Sequence, residues 1–158
     1  MFAFARAVIY ASLFIGLVLV LVPAGILEMS GVSRPTSLGL FQLLGVAVAA
    51  VGAVLALWCI AAFVQIGKGT PAPFDPPRRL VARGPYRYVR NPMYIGAALA
   101  LAGGAIFFRS PELLAYFGLF VVATHSLVLL YEEPVLRRQF GDDYAAYCAQ
   151  VRRWLPRF

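Results

Sequence analysis

Apolar and polar positions in this chain segregate into long blocks. Four apolar stretches stand out, from about Ala7 to Leu27, Leu38 to Ile66, Met93 to Phe108 and Leu113 to Tyr131. A helix needs about 20 predominantly apolar residues to cross a bilayer, with a range of about 17–25. The second stretch exceeds that enough to tilt or protrude, and the third is marginal. The pattern predicts an all-α, integral membrane bundle of four transmembrane helices, with a loop and a C-terminal helix on one side. The first stretch follows Arg6 as a secretory signal would. It outruns an h-region of roughly 7–15 residues and lacks a clear small-residue cleavage site, so it reads as a span.

Composition supports the membrane reading. Hydrophobic residues make up 61% of the 158 and charged residues 13%, against about 45–50% and about 25% in soluble domains. The placement of the 14 basic residues sets an orientation. Lys68, Arg78, Arg79, Arg83, Arg87 and Arg90 share the second connection, and Arg137, Arg138, Arg152, Arg153 and Arg157 lie in the tail. The first and third connections carry only Arg34 and Arg109. An excess of Lys and Arg marks the cytoplasmic side, which puts both termini and the 67–92 loop inside. The net charge of +7 then suits anionic headgroups, each arginine contributing about 1 kcal/mol near the surface. Tyr86-Arg87-Tyr88-Val89-Arg90 interleaves aromatic and basic residues, but no nucleic-acid-binding signature accompanies it, and no nucleic-acid partner is expected. Cys59 in a span and Cys148 in the tail are not expected to pair, and no Cys or His spacing points to a metal.

Organisation follows the same division within a single membrane domain. Residues 1–66 read as two scaffold spans. Gly45, Ala49 and Ala53, with Gly52 and Ala56 alongside, give the second span a small-residue face for close packing. From residue 67, GKGTPAPFDPP cannot continue a helix. Its GKGT lacks the first glycine and preceding strand of a phosphate-binding loop. Gly84-Pro85 marks a turn, and Asn91 sits at the N-cap position before Pro92. Gly96, Ala100 and Gly104 repeat the small-residue spacing on the third span.

Two polar groups border the last two spans. RNPMYIG (90–96) opens the third, and Glu132-Glu133 closes the fourth. Only FRSPE joins these spans, so they form an antiparallel hairpin with both polar groups at one depth. Acidic residues at a span's edge are costly to bury and suggest function, whereas an interfacial or capping role is the structural alternative. Adjacent helical residues lie about 100° apart, so a regular helix turns at most one of the two carboxylates into a shared pocket. Cations, an amide, phenols and carboxylates beside an apolar slot suit a charged, partly aromatic small molecule brought to a hydrophobic one.

RNPMYIG followed by LLYEEP resembles the phosphatidylethanolamine N-methyltransferases. RRLVARGPYRYVRNPMYIG followed by EEPVLRRQFGDDYAAY also resembles the isoprenylcysteine carboxyl methyltransferases and their bacterial relatives. The likeness covers roughly residues 78–156. It implies S-adenosylmethionine as cofactor, a site lined by Leu80, Val81, Tyr86, Asn91, Pro92, Met93, Tyr94 and Glu132 with Arg90 and Glu133 close by, and a bacterial cytoplasmic membrane. Many carboxyl methyltransferases of the group carry His at the place of Asn91, which shifts the likeness toward the lipid N-methylating branch. Their substrate-binding arginine, one turn before the acidic pair, falls here at Val128. Methyl transfer is a direct displacement that proximity alone can drive, so no acid or base is required. His125 is the candidate if one is used. The expected activity is methylation of a lipid or small hydrophobic acceptor, with an amine or thiol favoured and membrane lipids as surroundings. A prenylcysteine carboxylate acceptor, or a non-catalytic lipid-binding scaffold, is the alternative.

Overall fold

The computed structural model describes residues 15–62, 65 and 80–156, all-helical apart from turns and one isolated bridge. Arg6, the GKGTPAPFDPP loop, Lys68, Arg78, Arg79 and Arg157 lie outside the described residues, as does the beginning of the first apolar stretch. A π-helical segment, Ile15–Leu21, runs into α1, Val22–Met29. Helix α2 spans Leu40–Ala62, and a 3-10 turn, Gly84–Arg87, precedes α3, Pro92–Phe108. Helix α4 spans Pro111–Leu127 and continues through a π segment, Val128–Glu132, into α5, Glu133–Gln150. Among the described residues two helical stretches have the length and hydropathy to cross a bilayer: α2, and Pro111–Gln150, which is broken at Gly141. The apolar helices Gly16–Met29 and Pro92–Phe108 are shorter.

Helices α2 and α3 meet backbone to backbone. A Cβ on Gly45 would lie 2.6 Å from the Phe107 amide nitrogen, one on Gly103 2.6 Å from that of Ala49, and one on Gly52 2.8 Å from that of Ala100. Gly96 abuts Gly52 and Ala56 in the same way. The small-residue face is therefore Gly45, Ala49, Gly52 and Ala56 against Gly96, Ala100 and Gly103. Two expected members do not take part: Ala53 is exposed, and nothing lies within 4 Å of a Cβ on Gly104. Gln42 Nε2 donates to the Phe107 carbonyl at 3.0 Å, and Arg109 stacks over the Phe41 ring at 4.7 Å, closing the far end of the pair.

The expected hairpin forms between α3 and α4. Arg109 turns the chain in a left-handed conformation, Ser110 Oγ accepts the Leu113 amide at 3.1 Å, and Pro111 takes the first helical turn. Ser110 thus satisfies one of the helix's orphan amides, as an N-cap should. The start of α3 and the end of α4 consequently share one end of the molecule.

Past that end the rod bends. Pro134 has no N–H for the Leu130 carbonyl, and its ring crowds that carbonyl. The chain responds with a π turn, in which the Glu133 amide reaches back to the Val128 carbonyl. At Gly141 the backbone leaves helical geometry at φ 51°, ψ −123°, a region open to glycine. This break lets Tyr144, Tyr147 and Val151 pack with Leu80, Leu136 and Phe140 as a small separate core.

Candidate functional site

Three segments distant in sequence converge where α3 begins and α4 ends: residues 80–94, Glu132-Glu133, and the tail at 147–154. The 3-10 turn is anchored by Tyr147, whose hydroxyl donates to the Tyr86 carbonyl at 2.6 Å. The chain then forms a short parallel bridge with the tail, Val89 beside Arg152, in which the Arg90 amide donates to the Arg152 carbonyl at 2.9 Å. The tail from Val151 to Trp154 so lies as a strap beside the residues that open α3.

Tyr94, buried on the first turn of α3, donates its hydroxyl to Glu132 Oε1. Glu132 makes no other hydrogen bond among the described residues. Glu133 is more deeply buried, 8% exposed, and fully engaged. Arg153 grips it with both arms, Nε to Oε1 at 2.7 Å and Nη2 to Oε2 at 3.0 Å, while Arg90 Nη1 lies 3.3 Å from Oε1. Arg90 Nη1 also donates to Cys148 Sγ, and Arg90 Nε is buried with no hydrogen-bond partner among the described residues. Both carboxylates therefore join the polar cluster, where a regular helix would turn in only one.

Asn91 occupies the N-cap position of α3 without capping it. At φ −124°, ψ 52° its side chain accepts no helix amide, and its Nδ2 instead donates to the Arg153 carbonyl at 3.2 Å. Pro92, the first residue of α3, is fully buried.

The apolar candidates divide between two small cores. Val81 and Tyr86 are buried with Cys59 and Ala62 of α2, and Met93 packs against them. Leu80 joins the tail core around Tyr144 and Tyr147. Burial pushes the Tyr86 phenol well above its ordinary pKa, so it stays neutral. A third core lies beside the carboxylates: Tyr94, Ala97, Leu101, Phe120 and Val128, the last only 1% exposed, with Trp154 packed on it. His125 is exposed on α4, where its Nδ1 accepts the indole N–H of Trp154 in the strap at 3.0 Å.

Sequence reasoning missed the tail's share: Arg153, Tyr147, Trp154 and Cys148. Arg153 was visible only as one more basic residue on the cytoplasmic side. Nothing in its sequence neighbourhood says which carboxylate it meets. Among the described residues no group of acidic, His and Cys side chains could hold a metal ion.

The family model for phospholipid methyltransferases matches residues 40–143, from α2 to just past the bend at Gly141. Two proteins named probable protein-S-isoprenylcysteine O-methyltransferase, from Oryza sativa subsp. indica and subsp. japonica, are each 30% identical over 83 residues. The match covers 52% of this chain and 44% of each relative, so the chain aligns with less than half of their length. No solved structure matches it.

Proposed function

This chain belongs to the phospholipid methyltransferase family, and from that premise we propose an integral membrane, S-adenosylmethionine-dependent methyltransferase acting on a lipid or small hydrophobic acceptor. The observation that carries the proposal is that Tyr94 with Glu132, Arg90 with Glu133, and Asn91 with the Arg153 carbonyl lie together at the shared end of two apolar helices. Four spans with both termini in the cytoplasm complete the reading. It requires an impermeant thiol reagent to label Cys148 from the cytoplasmic face alone.

The donor set suits the cofactor. S-Adenosylmethionine, when bound, supplies a methyl group on a sulfonium, and it carries an ammonium, a carboxylate and an adenine. Glu132, held at one oxygen by Tyr94, keeps its other oxygen for a cation. Arg90, with a buried and unpartnered Nε, offers charge-assisted donation to a carboxylate. Met93, only partly buried, is the apolar side chain left to meet an adenine, since Val81 and Tyr86 are packed away with Cys59 and Ala62. Glu133, saturated by two arginines, serves to hold Arg90 and the tail in place. These residues bind, orient and exclude water. Holding two reactants about 3–3.5 Å apart can remove ~7–11 kcal/mol of a barrier, so no residue is assigned as acid or base.

Amines and neutral thiols are the favoured acceptors. Val128 is buried in an apolar core beside Tyr94, and an unpaired carboxylate there is heavily disfavoured. The second reading, prenylcysteine carboxyl methylation, draws on the names of the two rice relatives.

The test is methyl transfer from labelled S-adenosylmethionine by the purified protein, with phosphatidylethanolamine, a hydrophobic thiol and a farnesylcysteine analogue offered in turn. Turnover of either of the first two is expected, and turnover of the farnesylcysteine analogue alone would establish the second reading. Glu132→Gln should weaken cofactor binding by about 1.5–3 kcal/mol, the value of a hydrogen bond to a charged group. Unchanged binding in titration calorimetry removes Glu132 from the site.

A further inference from the structure

We infer that Arg153 is a positioning residue that keeps Arg90 available to an anionic ligand group, an inference that rests on the cofactor reading of this cluster. One buried carboxylate, Glu133, is shared unequally between two guanidinium groups. Arg153 takes it with two parallel hydrogen bonds, at 2.7 and 3.0 Å. Arg90 reaches it with a single nitrogen at 3.3 Å and keeps its Nε buried and unpartnered. The side chains of Glu133 and Arg90 are 10% and 11% exposed, so solvent does little to level the competition.

The strap sets this division before the side chains choose partners. The Arg90 amide holds the Arg152 carbonyl and the Asn91 side chain holds the Arg153 carbonyl, at 2.9 and 3.2 Å. Neighbouring residues of the α3 entry therefore pin neighbouring carbonyls of the strap, and the Arg153 fork is delivered to Glu133. A planar fork matches a carboxylate edge, and once seated it leaves the second arginine only a weak contact. Without Arg153, Glu133 would be buried with Arg90 as the arginine left in direct contact and Arg137 acting only through its field. Arg90 would then turn onto Glu133, leave Cys148, and meet an incoming carboxylate already neutralised.

The experiment compares the affinity of purified protein in lipid nanodiscs for S-adenosylmethionine and for its decarboxylated analogue, which keeps the sulfonium, amine and adenine. Arg153→Ala should weaken S-adenosylmethionine by roughly tenfold or more and leave the analogue's affinity nearly unchanged. Adding Glu133→Gln, which removes the carboxylate that Arg90 would collapse onto, should recover most of the loss. A general structural role would weaken both ligands equally and show no recovery, and either result overturns the inference. If Arg153→Ala does not fold, Arg153→Lys keeps the charge without the fork and should give the same selective loss at smaller size. A ligand-free readout separates the two layers of the argument. In a Cys59→Ala background, alkylation of Cys148 should slow in the Arg153 variant, because the Arg90 cation that favours its thiolate has left it. Unchanged alkylation sinks the inference. Slower alkylation in a protein whose parent binds neither ligand sinks the cofactor reading and leaves the Arg153–Arg90 arrangement standing.

Discussion

The α2–α3 interface and the polar cluster at the ends of α3 and α4 lie on the same helix and are held by opposite means. The interface depends on atoms that are missing. Glycines at Gly45, Gly52, Gly96 and Gly103 let two backbones touch, and only Gln42, at one end, adds a side-chain hydrogen bond. In lipid this is an economical solution, because apolar burial gives helices little reason to prefer each other over acyl chains. The cluster depends on atoms that are present: each of Tyr94, Glu132, Glu133, Arg90, Asn91 and Arg153 needs a partner from another segment. One region should therefore fail when a methyl is added, and the other when a polar atom is removed.

The largest effect is expected where the interface is tightest. Gly52→Ala drives a Cβ into the Gly96 carbonyl oxygen, its nearest neighbour, and to 2.8 Å from the Ala100 amide nitrogen, backbone atoms that cannot swing aside. The helices must separate, at a cost of about 2–3 kcal/mol. Gly104→Ala makes the same substitution where nothing lies within 4 Å, and the better helix propensity of alanine leaves stability unchanged or slightly raised. Unfolding in mixed micelles measures both. Equal losses would show that the interface is not held by close approach.

The two regions also differ in how far the sequence reveals them. Small residues at helical spacing identify the packing face, because a periodic helix turns a linear pattern directly into a surface. Even so, a choice of phase between Gly103 and Gly104, or between Gly52 and Ala53, needs the actual helix rotation. The cluster is legible where a local rule reaches it. The FRSPE hairpin brings Tyr94 and Glu132 to one depth, and they are hydrogen-bonded. It is illegible where the path depends on irregular backbone. The π turn before Pro134 and the break at Gly141 decide where Glu133 and the tail go. Neither bend has a sequence pattern that fixes its angle, so the strap's contacts follow from geometry alone.

Asn91 gives an intermediate effect and sharpens the contrast. Read from sequence it is a helix cap; in the structure it ties the strap. Asn91→Ser substitutes one good capping residue for another but shortens the side chain and removes the amide that reaches the Arg153 carbonyl. If the strap contact is what matters, the variant loses about 0.5–1.5 kcal/mol, the net value of a hydrogen bond, and Cys148 alkylation falls with it. Wild-type stability with unchanged alkylation would restore the capping role.

The smallest effect is expected from Arg152, and its smallness is the point. Arg152 and Arg153 are indistinguishable to any count of cytoplasmic charge. The bridge with Val89 uses the Arg152 backbone, whose carbonyl accepts the Arg90 amide at 2.9 Å, and its side chain is exposed. A glutamine keeps that carbonyl and removes a solvated charge, a change usually within about 0.5 kcal/mol at such a surface position. Arg152→Gln should therefore retain cofactor affinity and alkylation rate, while Arg153→Ala, one residue on, changes both. The pair isolates geometry from charge, since each substitution lowers the net charge of the tail by the same amount. If the two variants weaken S-adenosylmethionine equally, the tail acts as a diffuse positive field screened by salt, and the cluster is not the assembly of specific partners that sets it apart from the glycine interface.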